Sequence, residues 1–492
     1  MTVHLSAETL STLPDTIERP RYAASSLTGG IVHFGVGNFH RAHQAVYLDD
    51  LFNTGSDHDW ALVGAGVRPS DEAMRQTLEK QDWLTTVVEQ EADKTGARVT
   101  AAMIDYLSPN DPDAILARLS DPAIRIVSLT ITEGGYYIDP ATQRFAPDHP
   151  DIVRDAGAID TPRTVFGYIV AGLRRRRADG TPPFTVMSCD NIPGNGHVTE
   201  NAVRGLAALV DPELAEWIAA NVAFPNSMVD RITPATSDRE RALLEQNFGV
   251  SDGWPVFCEE FRQWVMEDRF SSGRPALEKV GVTFVEDVAP YELMKIRILN
   301  GGHATIAYPA ALMDIHFVHE AMENELVRAF LAKVEKEEII PVVPPVPDTD
   351  LASYFALIER RFSNPKIGDT VSRLCLDGSN RQPKFILPSA ADRLAAGQSV
   401  TGLALVSALW CRYCYGKSDS GRPIAPNDDN WDRLQAAARA AKDDPKAFLA
   451  MDDIFGLVAE NPAYVAAFTH ALETLWSVGC RETLTRYLDG RL

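Results

Sequence analysis

The feature that most constrains the fold is a glycine turn, Gly35-Val-Gly37, set between a short apolar run and an amphipathic stretch that ends near Phe52. In dinucleotide-binding domains, the first glycine allows the tight turn and the second allows close approach of a pyrophosphate. His40 replaces the third glycine of that pattern, so the motif alone is weak and a simple connecting turn is the alternative. The candidate cofactor-binding residues of the turn are Gly35, Gly37, Asn38, Phe39, His40 and Arg41.

The pattern of apolar residues along the sequence changes near Pro290. Before it, β-branched runs alternate with amphipathic stretches, and after it helical periodicity dominates. The predicted fold class is α/β, with a largely parallel sheet domain over residues 1–290 and a mainly α-helical C-terminal domain over residues 291–492. The predicted strands are residues 31–34, 60–67, 124–132, 184–189 and 282–285. The predicted helices are residues 291–313, 318–336, 350–361, 390–395, 402–415, 432–457 and 471–488.

The chain is acidic: 47 Lys and Arg face 68 Asp and Glu, which gives a formal net charge of −21. This charge argues against binding of nucleic acid or an anionic membrane and favours an enzyme for small molecules. The first residues, MTVHLSAETL, lack the basic and apolar regions of a signal peptide, and we find no long apolar run. We therefore expect neither secretion nor membrane spanning, and a cytoplasmic location.

The six cysteines are too few and too scattered for a disulfide framework. Cys411 and Cys414 form a C-x2-C pair, but a zinc site would need a second pair or nearby histidines. The pair lies in an apolar helical run, where cysteines are ordinary core residues. We predict reduced thiols and no metal site.

A second motif places an amine, an amide and an imidazole at K-x4-N-x2-H spacing, in Lys295, Asn300 and His303. On an α-helix, Asn300 and His303 would be neighbours, with Lys295 about two turns before His303. Apolar neighbours disfavour the ammonium and would lower the pKa of Lys295 toward neutrality, as a general base requires. The alternative is a lysine with an exposed head group beside a core histidine.

Asp71 and Asn191 follow predicted strands, and Asp230 lies in a further polar segment, residues 224–234. Asp71 could accept hydrogen bonds from an adenosine ribose and repel a 2′-phosphate, which favours NAD, although nearby Arg68 could accommodate NADP. Asn191 could stabilise a developing alkoxide, and Asp230 could bind a sugar hydroxyl. For the Val-Asp-Arg sequence around Asp230, a buried salt bridge is the alternative.

Several motifs occur together and in order: HFGVGNFHRAHQ, LTITEGGYY, TVMSCDN, FPNSMVDRITP and YELMKIRILNGGH. With them the chain resembles the mannitol dehydrogenase family, the polyol-specific long-chain dehydrogenases and reductases, over essentially its whole length. The resemblance implies a Rossmann-type domain followed by a mainly helical one.

The resemblance also implies roles for single residues. Lys295 matches the general base, Asn191 and Asn300 the alkoxide-stabilising pair, and His303 a substrate-positioning histidine. The positions that match polyol-binding residues are Asp230, Arg373 and Arg381, with arginine at 381 where relatives can have lysine. Glu133 and Glu292 match carboxylates linked to proton movement, and Asp71 matches the acidic residue that favours NAD.

The implied reaction is metal-independent, NAD-dependent oxidation of D-mannitol to D-fructose by a monomer, with D-arabinitol and D-sorbitol as further candidate substrates. One alternative is a hexuronate reductase such as fructuronate reductase, in which Arg373 or Arg381 would bind a carboxylate. A zinc-dependent polyol dehydrogenase is a second alternative. A catalytically silent NAD-binding sensor is a third, although a sensor needs no proton acceptor such as Lys295.

Overall fold

The computed structural model describes residues 2–139 and 144–492. Within it the chain forms two compact units, Met1–Ala289 and Pro290–Leu492. No helix in the described part of the chain is both long and apolar enough to cross a membrane.

The first unit contains all the named strands of the described residues. They are β1 (Val3–His4), β2 (Ile17–Glu18), β3 (Gly29–Phe34), β4 (Ala61–Ala65), β5 (Thr85–Gln90), β6 (Thr95–Thr100), β7 (Met103–Leu107), β8 (Ile126–Leu129), β9 (Ile138–Asp139), β10 (Arg144–Phe145), β11 (Thr185–Ser188), β12 (Ser227–Asp230), β13 (Val250–Ser251), β14 (Val256–Glu259), β15 (Gln263–Glu267) and β16 (Thr283–Val285).

The helices of the first unit lie between these strands. They are α1 (Asn38–Ala42), α2 (Gln44–Asn53), α3 (Asp71–Glu79), α4 (Pro112–Ser120), α5 (Pro150–Gly157), α6 (Val165–Asp179), α7 (Asn195–Val210), α8 (Pro212–Asn221) and α9 (Asp238–Phe248). Short 3₁₀ turns occupy Leu10–Thr12, Ala24–Ser26, Glu133–Tyr136 and Leu277–Val280.

A five-stranded parallel sheet forms the centre of this unit, in the order β11-β8-β3-β4-β7. Every residue of β3, β4, β8 and β11 is buried. Continuous apolar runs are typical of parallel strands that are covered on both faces. The predicted Rossmann-type, largely parallel sheet is thus confirmed, and four of the five predicted strands belong to it.

Two smaller sheets, in the orders β14-β5-β6-β2 and β12-β15-β16, accompany the central sheet, and β1-β13 and β10-β9 form two-stranded pairs. The fifth predicted strand, residues 282–285, is found as β16 in the second of these smaller sheets. The antiparallel pair of β5 and β6 was not predicted. In β6 the buried residues are Ala97, Val99 and Thr100, of which only Val99 is a large apolar residue, so the apolar alternation is weak.

The second unit is helical, as predicted. Its first helix, α10 (Ala289–Met294), begins with the last residue of the first unit. The other helices are α11 (Gly301–Leu312), α12 (Val318–Glu323), α13 (Glu325–Val334), α14 (Leu351–Phe362), α15 (Val371–Leu374), α16 (Gly378–Phe385), α17 (Leu387–Ala395), α18 (Thr401–Cys414), α19 (Trp431–Ala440), α20 (Lys446–Leu449), α21 (Asp452–Phe455) and α22 (Pro462–Leu488). Lys295–Asn300 and Glu335–Ile339 are π-helical, and Ile340–Val342, Pro365–Ile367 and Gly456–Glu460 are 3₁₀ turns.

Helix α18 forms the core of this unit and packs on α22. All its residues after Thr401 are buried, including Cys411 and Cys414, which are free thiols. A helix that is apolar on every side is expected in such a position.

Three predicted helices are interrupted. Residues 291–313 contain the π-helical turn Lys295–Asn300. Residues 318–336 divide at Asn324, whose side chain caps the start of α13. The prediction of one helix over residues 432–457 is wrong: α19 ends before Pro445, which cannot donate a backbone hydrogen bond, and two short helices follow.

Candidate active site

The turn after β3 requires glycine at its first position. Gly35 has φ +93°, and a Cβ atom there would lie 2.0 Å from the carbonyl oxygen of Thr130. Gly37 precedes α1 with φ −101°, and a Cβ atom there would meet nothing closer than the carbonyl oxygen of Gly35 at 3.7 Å. Gly35 thus makes the turn possible, and Gly37 leaves room for a ligand to approach the backbone.

A buried polar cluster contacts this turn. The carbonyl oxygen of Gly35 accepts a 2.7 Å hydrogen bond from Thr130 Oγ1 and lies 3.2 Å from His33 Nε2. The ring of His40 stacks on His33 with centroids 3.5 Å apart. Burial lowers the pKa of His33 to about 3 and the pKa of His40 well below its usual value, so both rings are neutral near pH 7. The imidazole of His40, a predicted cofactor residue, therefore lies inside the unit.

Asn38 and Arg41 hold a neighbouring loop. Asn38 Nδ2 donates to Thr236 Oγ1 at 3.2 Å, and Asn38 Oδ1 accepts from Arg41 Nη2 at 2.8 Å. Arg41 also donates to the carbonyl oxygen of Trp254. Burial lowers the pKa of Arg41 to about 10, which leaves the guanidinium charged at neutral pH. These contacts fix the loop that faces the glycine turn.

Phe39 begins a row of aromatic rings. Its ring stacks on His43 with centroids 4.7 Å apart, and His43 contacts Trp264 of β15 at 5.3 Å. His43 Nε2 lies 2.9 Å from the carbonyl oxygen of Gln263. The row attaches the start of α2 to the smaller sheet β12-β15-β16.

Asp71 closes the turn that follows β4. Its Oδ2 atom accepts hydrogen bonds from the backbone N–H groups of Val67 at 3.1 Å and Arg68 at 3.0 Å. Its Oδ1 atom lies 3.5 Å from Arg68 Nε, and the arginine side chain is 71% exposed. Asp71 and Arg68, from which the sequence leads us to expect opposite cofactor preferences, are therefore in contact. The carboxylate is fixed by backbone hydrogen bonds, and the guanidinium lies largely in solvent.

Asp190 and Asn191 follow β11. The buried carboxylate of Asp190 accepts hydrogen bonds from the backbone N–H groups of Ile131 at 2.9 Å and Thr132 at 2.8 Å, and from Tyr136 Oη at 2.7 Å. Burial raises the pKa of Asp190. Asn191 itself is exposed. Sequence reasoning singled out Asn191 and missed Asp190, because its partners Ile131 and Thr132 are distant in sequence and come together only in the folded chain.

Asn195 joins the segment after β11 to the start of β12. Its Nδ2 atom donates to the carbonyl oxygens of Asp190 at 3.0 Å and Ser227 at 2.8 Å, and its Oδ1 atom accepts from Ser227 N at 2.9 Å. Asp230, at the end of β12, is 6% exposed. Asn195 therefore fixes the segment that contains Asn191 against the first residue of β12, the strand that ends at Asp230. Sequence reasoning also missed Asn195.

Arg231, the residue after Asp230, makes structural contacts within the first unit. Arg231 Nη2 donates to Glu89 Oε1 at 2.5 Å, Nε donates to the carbonyl oxygen of Glu259 at 2.9 Å, and Nη1 donates to that of Ala42. The buried salt bridge considered for the Val-Asp-Arg sequence therefore exists, but it joins Arg231 to Glu89.

Glu133 begins the 3₁₀ turn Glu133–Tyr136 and is exposed. The residue before it, Thr132, has φ +67° and ψ 162°. That region of backbone conformation is populated almost only by glycine. The segment that carries Glu133 is therefore held in a strained conformation.

Lys295 opens a π-helical turn, Lys295–Asn300, between α10 and α11. It is 7% exposed, whereas Asn300 is half-buried. Glu292, also half-buried, lies three residues before Lys295 in α10. The angular positions expected for an α-helix do not apply here, because i→i+5 hydrogen bonds replace i→i+4 bonds. Single π-helical turns within helices occur often at functional sites.

His303 lies in the first turn of α11. Its ring stacks on Phe362 of α14 with centroids 4.2 Å apart, and its Nε2 atom is buried without a hydrogen-bond partner among the described residues. Burial, reinforced by the charges of nearby arginines, lowers the pKa of His303 well below its usual value. These arginines are Arg373, Arg361 and Arg381. The structure thus brings three predicted site residues, His303, Arg373 and Arg381, into electrostatic range.

The two candidate polyol-binding arginines are already engaged. Arg373 Nε and Nη2 each donate to one carboxylate oxygen of Asp369 at 2.5 Å, and this pairing raises the pKa of Arg373. Arg381 Nη1 donates to the carbonyl oxygen of Leu374 at 2.9 Å. Arg381 thereby contacts the end of α15, the helix that carries Arg373.

Among residues 2–139 and 144–492, no group of three or more His, Cys, Asp or Glu side chains is arranged to hold a metal ion.

Residues 29–279 match the family model of the mannitol dehydrogenase Rossmann domain, and residues 287–476 match that of the mannitol dehydrogenase C-terminal domain. Mannitol 2-dehydrogenase of Cereibacter sphaeroides is 61% identical over 474 residues, which are 96% of this chain and 99% of that protein. Mannitol 2-dehydrogenase of Neosartorya fischeri is 43% identical over 467 residues, 94% of this chain and 93% of that protein.

Two solved structures are similar over nearly the whole chain. One is Pseudomonas fluorescens mannitol 2-dehydrogenase in a ternary complex with NAD and D-mannitol, with a TM-score of 0.87 and 42% identity, covering 99% of this chain and 100% of that chain. The other is D-sorbitol dehydrogenase in substrate-free form, with a TM-score of 0.91 and 34% identity, covering 98% and 100%. The expected resemblance is confirmed, and the chain belongs to the mannitol dehydrogenase family.

Proposed function

We propose that the protein is an NAD-dependent, metal-independent oxidoreductase that interconverts D-mannitol and D-fructose, with D-arabinitol and D-sorbitol as further candidate substrates. The observation that carries this proposal is the buried amine of Lys295 on a π-helical turn that also carries Asn300. The 61% identity to a mannitol 2-dehydrogenase over almost the whole chain supports the choice of substrate.

The glycine turn fits a dinucleotide. Gly35 has no room for a side chain, and the space at Gly37 allows a pyrophosphate to approach the backbone at the start of α1. Asn38 to Arg41 shape the turn and the loop beside it. Asp71 presents a fixed carboxylate after β4, which favours a free ribose hydroxyl over a 2′-phosphate.

When bound, NAD⁺ accepts the hydride that leaves C2 of the polyol. Lys295, whose side chain is buried, is assigned as the general base that removes the proton of the C2 hydroxyl group. The side-chain amides of Asn191 and Asn300 donate hydrogen bonds to the developing alkoxide. Each such donor contributes roughly 3 kcal/mol to transition-state stabilisation in comparable sites. In the reverse direction the protonated Lys295 returns the proton.

The remaining positions orient the polyol and move the proton. His303 is neutral near pH 7 and carries a buried Nε2 atom that can exchange a hydrogen bond with a substrate hydroxyl. Asp230 and Arg381 are assigned to other hydroxyl groups, and Arg373 is assigned with them. Because Asp369 already neutralises Arg373, a neutral polyol suits this position better than a carboxylate does. Glu133 and Glu292 are assigned to the proton path to solvent.

The test is NADH absorbance with EDTA-treated protein, comparing mannitol, arabinitol, sorbitol, fructose and fructuronate with NAD(H) and NADP(H). We expect oxidation of mannitol and reduction of fructose with NAD(H), unchanged by the chelator. Activity with fructuronate alone would move the protein to the hexuronate reductases, and activity lost with EDTA would indicate a metal enzyme. Binding of NADH without turnover of any substrate would favour a sensor.

Two further expectations from the sequence remain proposals, a monomeric state and a cytoplasmic location. Light scattering after gel filtration tests the first, with a mass near 54.0 kDa expected for the single chain. Fractionation of cells that express the protein tests the second.

A further inference from the structure

Asp190 holds a chain segment that is distant from it in sequence. Its Oδ2 atom accepts hydrogen bonds from Ile131 N at 2.9 Å and from Tyr136 Oη at 2.7 Å, and its Oδ1 atom accepts from Thr132 N at 2.8 Å. Asp190 is 8% exposed. Both oxygens of one carboxylate are therefore committed to the two ends of residues 131–136, the segment that carries Glu133.

This segment needs such a restraint. Thr132 has φ +67° and ψ 162°, and Tyr137 has φ +54° and ψ 46°. A β-branched residue in the first of these regions is strained, and such strain persists only where surrounding contacts fix the backbone. The hydrogen bond from Thr132 N to Asp190 acts directly on the strained residue.

The backbone of Asp190 is also held in place, by hydrogen bonds to its own neighbourhood in the chain. Asp190 N donates to Ser188 Oγ at 3.2 Å, and its carbonyl oxygen accepts from Asn195 Nδ2 at 3.0 Å and from Ile192 N at 2.9 Å. Asn191 lies within this fixed stretch. The carboxylate and the backbone of one residue thus connect the segment of Glu133 to the segment of Asn191.

We propose that Asp190 is a positioning residue whose carboxylate holds residues 131–136 in their strained conformation, and so places Glu133 relative to Asn191. The proposal rests on the function proposed above. Asparagine cannot replace the carboxylate, because its amide offers one acceptor oxygen and turns an N–H donor toward Ile131 or Thr132.

The test begins with Asp190→Asn in the full-length protein. We expect kcat for mannitol to fall about 10- to 100-fold, because a small displacement of a catalytic group has effects of this size. NADH affinity should be unchanged. Hydrogen exchange followed by mass spectrometry should show faster exchange in peptides that cover residues 131–136. This second measurement needs no turnover, so it tests Asp190 even if mannitol is not the substrate.

A rescue separates positioning from general loss of structure. Glycine adopts the backbone angles of Thr132 without strain, so Thr132→Gly should restore much of the kcat lost in Asp190→Asn. Tyr136→Phe removes one of the hydrogen bonds to Asp190 and should cause a smaller change in the same direction. It also serves as the test variant if Asp190→Asn does not fold.

Asp155→Asn is the matched control. Asp155 is another buried aspartate of the first unit, and it accepts hydrogen bonds from Arg163 N, Thr164 N and Thr164 Oγ1. Its variant should lose thermal stability but keep kcat per folded molecule. The proposal is overturned if Asp190→Asn keeps wild-type kcat and exchange, if activity falls without faster exchange at residues 131–136, or if Thr132→Gly restores nothing.

Discussion

Lys295 and Glu335 both carry ionisable groups into the interior of the second unit, where they are 7% and 0% exposed. Each lies at the start of a π-helical turn, Lys295–Asn300 or Glu335–Ile339. A buried group prefers its neutral form, which makes an amine a base and a carboxylate an acid. For Glu335 this effect links stability to pH, and for Lys295 the proposed function assigns the buried side chain the role of base.

Lys295→Met should abolish the base while filling most of the volume of the lysine side chain. General acid–base catalysis contributes roughly 10²- to 10⁴-fold, so we expect a loss of kcat in that range with NADH affinity unchanged. Turnover of mannitol and quenching of protein fluorescence by NADH measure the two effects. Lys333→Met is the control, since Lys333 Nζ binds the carbonyl oxygens of Tyr487 and Leu488. Near-normal turnover in Lys295→Met would remove the lysine from the mechanism.

The burial of Glu335 leads us to expect that the stability of the protein depends on pH. Neither of its carboxylate oxygens has a hydrogen-bond partner among the described residues, and Oε1 would lie 3.2 Å from a Cβ atom at Gly302. Burial raises the pKa of Glu335 well above its usual value of 4.5. The unfolded chain therefore loses this proton first, so the contribution of Glu335 to stability is complete below about pH 4.5 and is lost as pH rises toward the folded pKa.

Glu335→Gln removes this titration. Between pH 5 and pH 9, the free energy of unfolding of the wild type should fall relative to the variant by up to about 1.4 kcal/mol per pH unit until the folded pKa is reached. Urea denaturation at several pH values measures the difference. The exposed neighbour Glu337 provides the control, and Glu337→Gln should follow the wild type. Parallel curves for wild type and Glu335→Gln would show that burial does not shift this group.

At the scale of elements, the glycine turn between β3 and α1 makes two different demands on its residues. Gly35 combines φ +93° with a backbone so close that an added Cβ atom would lie 2.0 Å from the carbonyl oxygen of Thr130, whereas Gly37 has neither restriction. The fold requires the first glycine, and the proposed function assigns the second to the approach of the cofactor. Alanine at each position can therefore separate the two requirements.

Gly35→Ala should lower thermal stability and weaken NADH binding together, at a cost of about 1–3 kcal/mol or more for the strained turn. Gly37→Ala should keep the melting temperature and still weaken NADH binding, because its methyl group occupies the approach to the backbone. Thermal unfolding without cofactor and NADH titration separate the two variants. Gly96→Ala, where a Cβ atom meets nothing within 4 Å, should change neither. NADH binding as tight as wild type in Gly37→Ala would show that the turn does not hold the cofactor.

The sequence predicted those secondary-structure elements that are determined by residues within the element itself. The turn at Gly35, the buried strands of the central sheet and the apolar helix α18 follow from glycine and from apolar periodicity. The π-helical turn at Lys295 was missed because it leaves apolar periodicity nearly unchanged over six residues. Asp190 was missed because its role depends on contacts with Ile131 and Thr132, which only the folded chain brings together.

At the scale of the whole molecule, the assigned residues divide between the two compact units. The candidate cofactor residues, with Glu133, Asn191 and Asp230, belong to Met1–Ala289, and Lys295, Asn300, His303 and the two arginines belong to Pro290–Leu492. The proposed function assigns the cofactor to residues of the first unit and several polyol contacts to residues of the second, so cofactor and polyol should protect different parts of the chain. Hydrogen exchange can resolve these parts because local opening, and not only global unfolding, exposes amides to solvent.

We expect NAD⁺ alone to slow exchange in residues 31–41 and 66–71, with little effect on residues 295–303. Adding mannitol to the Lys295→Met variant with NAD⁺ should slow exchange in residues 295–303 and 371–385 as well, since the inactive variant holds the substrate without consuming it. Sucrose at the same concentration controls for the general effect of an osmolyte. Protection by mannitol confined to the first unit would contradict the assignment of Asn300, His303, Arg373 and Arg381 to the polyol.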